Sequence, residues 1–283
     1  MITEKRYNKI YTEIESCINV SFDSIKAISL SNYILILAFG EYHGLLLRNP
    51  VLSPYLIDYT IDRYTDQNRL KFLADFLNAY YSFRDCEKIN PDDYRIHLEL
   101  MIYTHLWESK SFLKTLFRLA QTQSGERYPW TVSVPDTCKH DFIRNNIRQV
   151  LVNKDKSLSD IIKKGYHSSL RNAFAHSQYH YDLAFTDDKI YLDNYKRKDW
   201  EMKFITFSDW TERFVYSALL SYHLYNTLRF RRKNLSTELN SNVFEIERPS
   251  RDGRTINKVP IMYYKDRDEF GFVSVPPFKL VHL

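Results

Sequence analysis

The sequence predicts a mainly α-helical bundle with a β-hairpin inserted late in the chain and a small β meander at its end. Three observations point to this class. Over roughly the first two-thirds of the chain the apolar residues recur at helical spacing, with little strand-like alternation. Aromatic and β-branched runs flanking acidic turns are concentrated between residues 179 and 206 and again after 235. Gly and Pro number only 6 and 9 among 283 residues that are 44% hydrophobic, a composition that supports a large ordered core and excludes wholesale disorder.

The elements follow in order. Helical periodicity covers 25–47, 57–83, 92–121, 136–152 and 158–177, and its breaks fall at Pro50, Pro54, Pro91 and the 125–135 segment. The fifth helix has a start signal: Ser157 is placed as N-cap with Asp160 three residues on. Gly165 is its weak point and marks a break before the residues that follow. Residues 179–185, an acidic turn at 186–188 and residues 189–192 read as a hairpin, within an insertion spanning about 179–206. A closing helix over about 208–233 has Ser208 or Asp209 as cap, Glu212 early and basic residues at its end. Strand-like segments at 243–248, 256–264 and 270–275 form the terminal meander. The chain thus divides into a helical domain, 1–234, and a β appendage, 235–283. Neither an internal repeat nor a low-complexity tract is visible.

Composition narrows the function classes. The net charge of +5 is compatible with a polyanionic partner without requiring one. Basic runs at Lys196-Arg197-Lys198 and at 229–233 can meet phosphates or simply face solvent. The most apolar stretch, 33–47, is interrupted by Glu41 and His43 and is shorter than the ~20 residues of a membrane span, so no membrane partner is expected. No secretory signal opens the chain, and Cys17, Cys86 and Cys138 lie far apart with no Cys-x-x-Cys pair, so a reducing cytoplasm is the expected location. There is no Gly-rich phosphate loop, nucleophile elbow or acidic two-metal cluster. The aromatic concentration around Trp107, Tyr128 and Trp130 reads as core packing.

One segment stands out: Leu170-Arg171-Asn172-Ala173-Phe174-Ala175-His176. On a helix at about 100° per residue, Leu170, Ala173, Phe174 and Ser177 share an arc of about 100°, the core face. Arg171, Asn172, Ala175 and His176 fill the opposite arc of about 140°. Asn172 and His176 stand at i, i+4 and can touch, and the small Ala175 lets a second backbone or a phosphodiester approach.

This Arg-Asn-x3-His arrangement resembles the signature of the HEPN superfamily, carried on a helix of a helical bundle. The resemblance extends over roughly 92–233 and implies a homodimer with two motifs facing across a two-fold axis to form one RNA-cleaving site. It implies metal-independent cleavage to a 2′,3′-cyclic phosphate and a 5′-hydroxyl, with no cofactor, by a toxin or phage-defence effector with an antitoxin or regulatory partner. His176 would be the general base or acid, since imidazole titrates near neutrality. Arg171 would hold the phosphate, and Asn172 would set the His176 tautomer or position the phosphate. Lys163, Lys164 and Tyr179 are the nearby candidates for RNA contact. One branch of the family carries a Tyr two residues after the His, where this chain has Gln178.

Other readings stay open. Arg171, Asn172 and His176 can form a buried polar network joining helices, as in a non-catalytic HEPN module that binds protein or nucleic acid. His176, His180 and Asp182 could bind zinc, but the zinc-protease pattern needs Glu where Ser177 stands.

Overall fold

Ile10, Ile14, Ile18, Phe22 and Ile25 recur three or four residues apart, and every one is buried along a helix that begins far upstream of residue 25. In the computed structural model, which describes residues 2–58, 61–84, 86–182, 184 and 186–273, the chain is mainly helical with small antiparallel sheets. The helix expected at 25–47 is therefore corrected. It is the end of α1 (Glu4–Ile28) followed by α2 (Leu30–Leu37), broken at Ser29, whose extended backbone (φ −155°, ψ 111°) frees its hydroxyl to cap Asn32 N–H. Past Ala38 the chain leaves the helix through Phe39 at φ 49°.

A two-stranded pair follows, β2 (Glu41–Tyr42) with β3 (Tyr55–Leu56), just as β1 (Ile2–Thr3) pairs with β4 (Lys88–Ile89). α3 (Ile61–Tyr80) occupies most of the expected 57–83, of which 59 and 60 lie outside the described residues. The single helix expected at 92–121 is two, α4 (Asp93–Glu108) and α5 (Lys110–Gln123). Ser109 ends the first and caps the second, accepting from Phe112 N–H at 3.4 Å. The 136–152 helix is one continuous rod built from α6 (Lys139–Asp141), a π-helical stretch (Phe142–Arg148) and α7 (Gln149–Leu151).

The 158–177 helix divides as Gly165 foretold, into α8 (Lys156–Gly165) and α9 (Ser168–Ala175). Its N-cap is Asp155, not Ser157. The Asp155 carboxylate accepts from Leu158 N–H at 3.0 Å while also accepting from Ser21 and Gln123, so one side chain starts α8 and fastens it to α1 and α5. Gly165 is required by packing. A Cβ there would lie 3.0 Å from Ser217 Oγ and 3.3 Å from Ser217 N, where α8 meets the long helix behind it. Gly165→Ala, which in an open helix would gain up to ~1 kcal/mol, is expected here to cost about 1–3 kcal/mol in a urea unfolding titration.

That long helix is α10 (Phe207–Glu238). It is capped by Thr206, which accepts from Asp209 N–H at 3.1 Å, in place of the expected Ser208 or Asp209. It packs against α1, α3, α4 and α8 and buries residues around its whole circumference, from Trp210 and Phe214 to Leu228 and Leu235. Its His223 is 3% exposed, lies 4.3 Å from the Tyr11 ring, and among the described residues has no hydrogen-bond partner for Nε2. Desolvation pushes this imidazole down to about 4. Because the folded value is depressed, the stability it contributes is present above the ordinary value near 6.5 and is lost as pH falls through about 4. The loss of stability between pH 6.5 and 4 should therefore be smaller in His223→Gln by up to about one proton, measured as the pH slope of the unfolding free energy.

Between α9 and α10 lies the insertion, a three-stranded antiparallel sheet of β5 (Tyr179–His180), β6 (Lys189–Leu192) and β7 (Phe204–Thr206), with Tyr179 opposite Leu192. Leu183 and Phe185, expected to extend its first strand, lie outside the described residues. The terminal meander is β8 (Val243–Pro249), β9 (Ile256–Tyr264) and β10 (Glu269–Phe272), antiparallel in that order, with 274 and 275 outside the described residues. β8 lies on α2, where Ser31 Oγ accepts from Glu247 N–H at 2.7 Å. Arg232 of α10 clamps the same region. Its guanidinium holds Asp58 through two hydrogen bonds (2.7 and 2.6 Å), Asp268 Oδ1 at 2.7 Å and the carbonyl of Leu37 at 2.8 Å.

Candidate functional site

The motif helix α9 is anchored from below by the residues its sequence pattern assigns to the core. Leu170, Ala173 and Phe174 are buried, and the Phe174 ring meets Trp210 (4.9 Å), Tyr179 (5.2 Å) and Tyr103 (6.0 Å) edge to face. Beneath Trp210 sits the buried carboxylate of Glu99, accepting from the indole N–H at 2.9 Å and from Tyr81 at 2.6 Å, with Arg95 Nε 2.8 Å away. Burial pushes the Glu99 carboxyl up, and Arg95 and the two donors oppose the shift. Trp107, Tyr128 and Trp130 are core residues as expected.

The helix starts at His167, whose Nδ1 accepts from Ser169 N–H at 3.2 Å and must therefore carry no proton. Burial, and then the nearby Arg213 charge, push this imidazole down to about 4. The helix stops at Ala175, so His176 is its C-cap (φ −111°, ψ 10°), where the expectation placed it inside the helix. Ser177 follows at φ 53°, and the turn closes with Gln178 N–H on the carbonyl of Ala173 at 2.8 Å. Ser177, assigned to the core face, is exposed because the helix has already ended. His176 and Ala175 are exposed as well.

Asn172 and His176 open into one cleft of about 450 Å³, which is also lined by Ser169, Gln178, Asn194 and Lys198. They meet through the main chain: His176 N–H donates to the Asn172 carbonyl at 3.2 Å, and among the described residues their side chains are not hydrogen-bonded to each other. Arg171 does not line this cleft. It turns toward the end of α4, where its Nη1 lies 3.1 Å from Glu108 Oε1, while the other oxygen of Glu108 takes Lys139 Nζ at 2.6 Å. Its Nε is buried with no acceptor among the described residues. The adjacent Tyr166 phenol is raised by burial, with the Arg171 charge opposing.

The three candidates for RNA contact are dispersed. Lys164 is committed to Glu13 (2.6 Å) and the Tyr216 hydroxyl (3.2 Å), on the α1 side of α8. Lys163 is exposed on the same helix, and neither lysine lines the cleft. Tyr179 is half-buried against Phe174. The residues that do line the cleft opposite His176 come from the 193–203 loop between β6 and β7, including Lys196, Lys198 and Trp200. The basic run was visible in the sequence; the indole two residues beyond it was the signal overlooked. His180, weighed as a zinc ligand, has its Nδ1 2.9 Å from Asp193 Oδ1, and no group of three metal-binding side chains occurs among the described residues. Nor is any helix among them long and apolar enough to cross a membrane.

Fold and site together define a helical-bundle protein with an open histidine cleft, edged by basic residues, at the C-terminal end of a short helix. Compared with family models, curated proteins and solved structures, the chain finds no match in any of the three.

Proposed function

We propose that this protein is a metal-independent endoribonuclease of the HEPN type, acting on RNA as a homodimer and serving as a cytoplasmic toxin or phage-defence effector under an antitoxin or regulatory partner. One observation carries the reading: an exposed imidazole, His176, shares an open cleft with Asn172 and with two lysines that have no carboxylate partner among the described residues. In the proposed reaction His176 removes the proton from a ribose 2′-hydroxyl. The oxygen attacks the adjacent phosphorus, the bond to the 5′-oxygen breaks, and that oxygen takes a proton from an imidazolium, His176 of the same or of the second copy, giving a 2′,3′-cyclic phosphate and a 5′-hydroxyl. Arg171 stabilises the charge on the phosphoryl oxygens. Within one chain Arg171 lies outside the cleft that holds His176, and the exposed, small Ala175 separates them, an arrangement suited to a second copy completing the site.

A second reading has its own observation. Glu108 already pairs with Arg171 and Lys139, so the arginine can be a helix-joining strut in a non-catalytic HEPN module that binds protein or nucleic acid. Incubation of the pure protein with RNA in EDTA decides between them. Fragments whose 5′ ends accept phosphate from a polynucleotide kinase without prior phosphatase treatment are expected, with cleavage lost in Arg171→Ala and His176→Ala. Cleavage surviving both substitutions sinks the site. An inert wild type that also leaves growth unaffected when expressed selects the binding module, and a strictly monomeric species in sedimentation removes the composite site.

A further inference from the structure

The 193–203 loop is fastened to the motif helix through its first and last residues. Asn194 Nδ2 donates to the Ser169 carbonyl (3.1 Å), Met202 N–H to Ser169 Oγ (3.3 Å) and Asp193 N–H to the Gln178 carbonyl (2.9 Å). Its apex is shaped by Glu201, whose carboxylate accepts from the main-chain N–H groups of Lys196 (2.6 Å) and Lys198 (3.3 Å). Between them Arg197 is held at φ 63°, a left-handed conformation costly for a residue with a side chain and retained here by the flanking hydrogen bonds.

The two carboxylates lining the cleft are thus occupied by protein groups, Glu201 by the loop's own amides and Asp193 by His180. Among the described residues the ammonium groups of Lys196 and Lys198 have no carboxylate partner. Lys198 instead stands 5.2 Å from the ring centre of Trp200, an indole left 62% exposed on the lining of the His176 cleft. An exposed indole with one ammonium over its ring and a second lysine on the same cleft offers what a single nucleic-acid strand presents: bases to stack on an open π face and phosphates to meet the cations. A duplex does not fit this surface, since its bases are already stacked on one another.

We infer that Trp200, Lys196 and Lys198 form a platform that grips single-stranded RNA at the entrance to the His176 cleft, one base stacked on the indole and phosphates on the two ammonium groups. These are positioning residues, and the assignment rests on the ribonuclease reading for its biological use. It is tested by fluorescence anisotropy of a labelled, unstructured RNA oligonucleotide in the His176→Ala background, which keeps the probe intact. Trp200→Ala is expected to weaken binding roughly tenfold, with Trp200→Phe retaining most of the affinity because a π face remains. Replacing Lys196 and Lys198 by Gln should flatten the slope of log affinity against log salt by about 1.4, at ~0.7 for each phosphate that is no longer neutralised. Equal affinity of the Trp200→Ala and parent proteins, or a blunt duplex bound as tightly as the single strand, overturns the platform. Trp200-dependent binding by a protein that cleaves nothing keeps the platform and removes the nuclease, whereas His176-dependent cleavage with Trp200-independent binding does the reverse.

Discussion

On the proposed ribonuclease reading, removing the imidazole of His176 is expected to slow RNA cleavage by a factor of about 10² to 10⁴, the range spanned by loss of a positioned general acid or base. The side chain is exposed and sits past the last helical residue, so the substitution leaves the packing of α9 intact: Leu170, Ala173 and Phe174 carry that packing. A circular dichroism spectrum and unfolding midpoint matching the parent, together with cleavage slowed by that factor, are the paired expected result. Arg171→Ala is a different kind of perturbation, because it also withdraws one of the two cations paired with Glu108, leaving Lys139 alone to balance that carboxylate. Its effect should therefore divide between activity and a modest loss of stability. Arg171→Lys keeps the charge for Glu108 but loses the planar fork, so it should restore stability more fully than cleavage.

The largest expected effect on stability lies elsewhere, at Arg232. Its side chain is 3% exposed and that of Asp58 4%, so Arg232→Ala takes away the guanidinium that balances a carboxylate deep in the protein. Breaking a buried pair from one side costs about 3–5 kcal/mol. At about 2–4 °C per kcal/mol for chains approaching this length, the melting midpoint should fall by roughly 10 °C in calorimetry. Arg232→Lys should be intermediate, since one ammonium cannot serve Asp58, Asp268 and the Leu37 carbonyl together. A midpoint unchanged in Arg232→Ala would show that the clamp contributes no stability.

The sequence carried the class of the fold and much of its order, and its failures have physical causes. The i, i+4 run of Ile10, Ile14, Ile18 and Phe22, with polar residues on the opposite face, is the pattern of an amphipathic helix, yet the first expected helix began only at residue 25 and left it out. The breaks at Ser29 and Ser109 were not legible. Serine interrupts a helix only where the tertiary path turns and its hydroxyl can cap the next one, and nothing in the local pattern says where that is. Gly165 did announce its break, because glycine's cost inside a helix is local. In the site, the core face of α9 followed from spacing alone. The partners of its other face did not: Glu108 arrives from 63 residues before Arg171 and Trp200 from 24 residues after His176, both placed by helix packing and by the insertion that returns its loop to Ser169. Lys163 and Lys164 were close in sequence but lie on a separate helix with its own direction once the chain bends at Tyr166.

The brevity of α9 has a further consequence. Eight residues make about two turns, well below the ~12–15 at which a lone helix begins to hold in water. Its shape is lent by Tyr103 and Trp210 beneath it and by Asn194 and Met202 beside it. The Arg-x4-His sequence is thus not a portable module. An excised peptide would carry the letters of the motif without its geometry, and the cleft comes into being only when segments drawn from across the chain have closed around it.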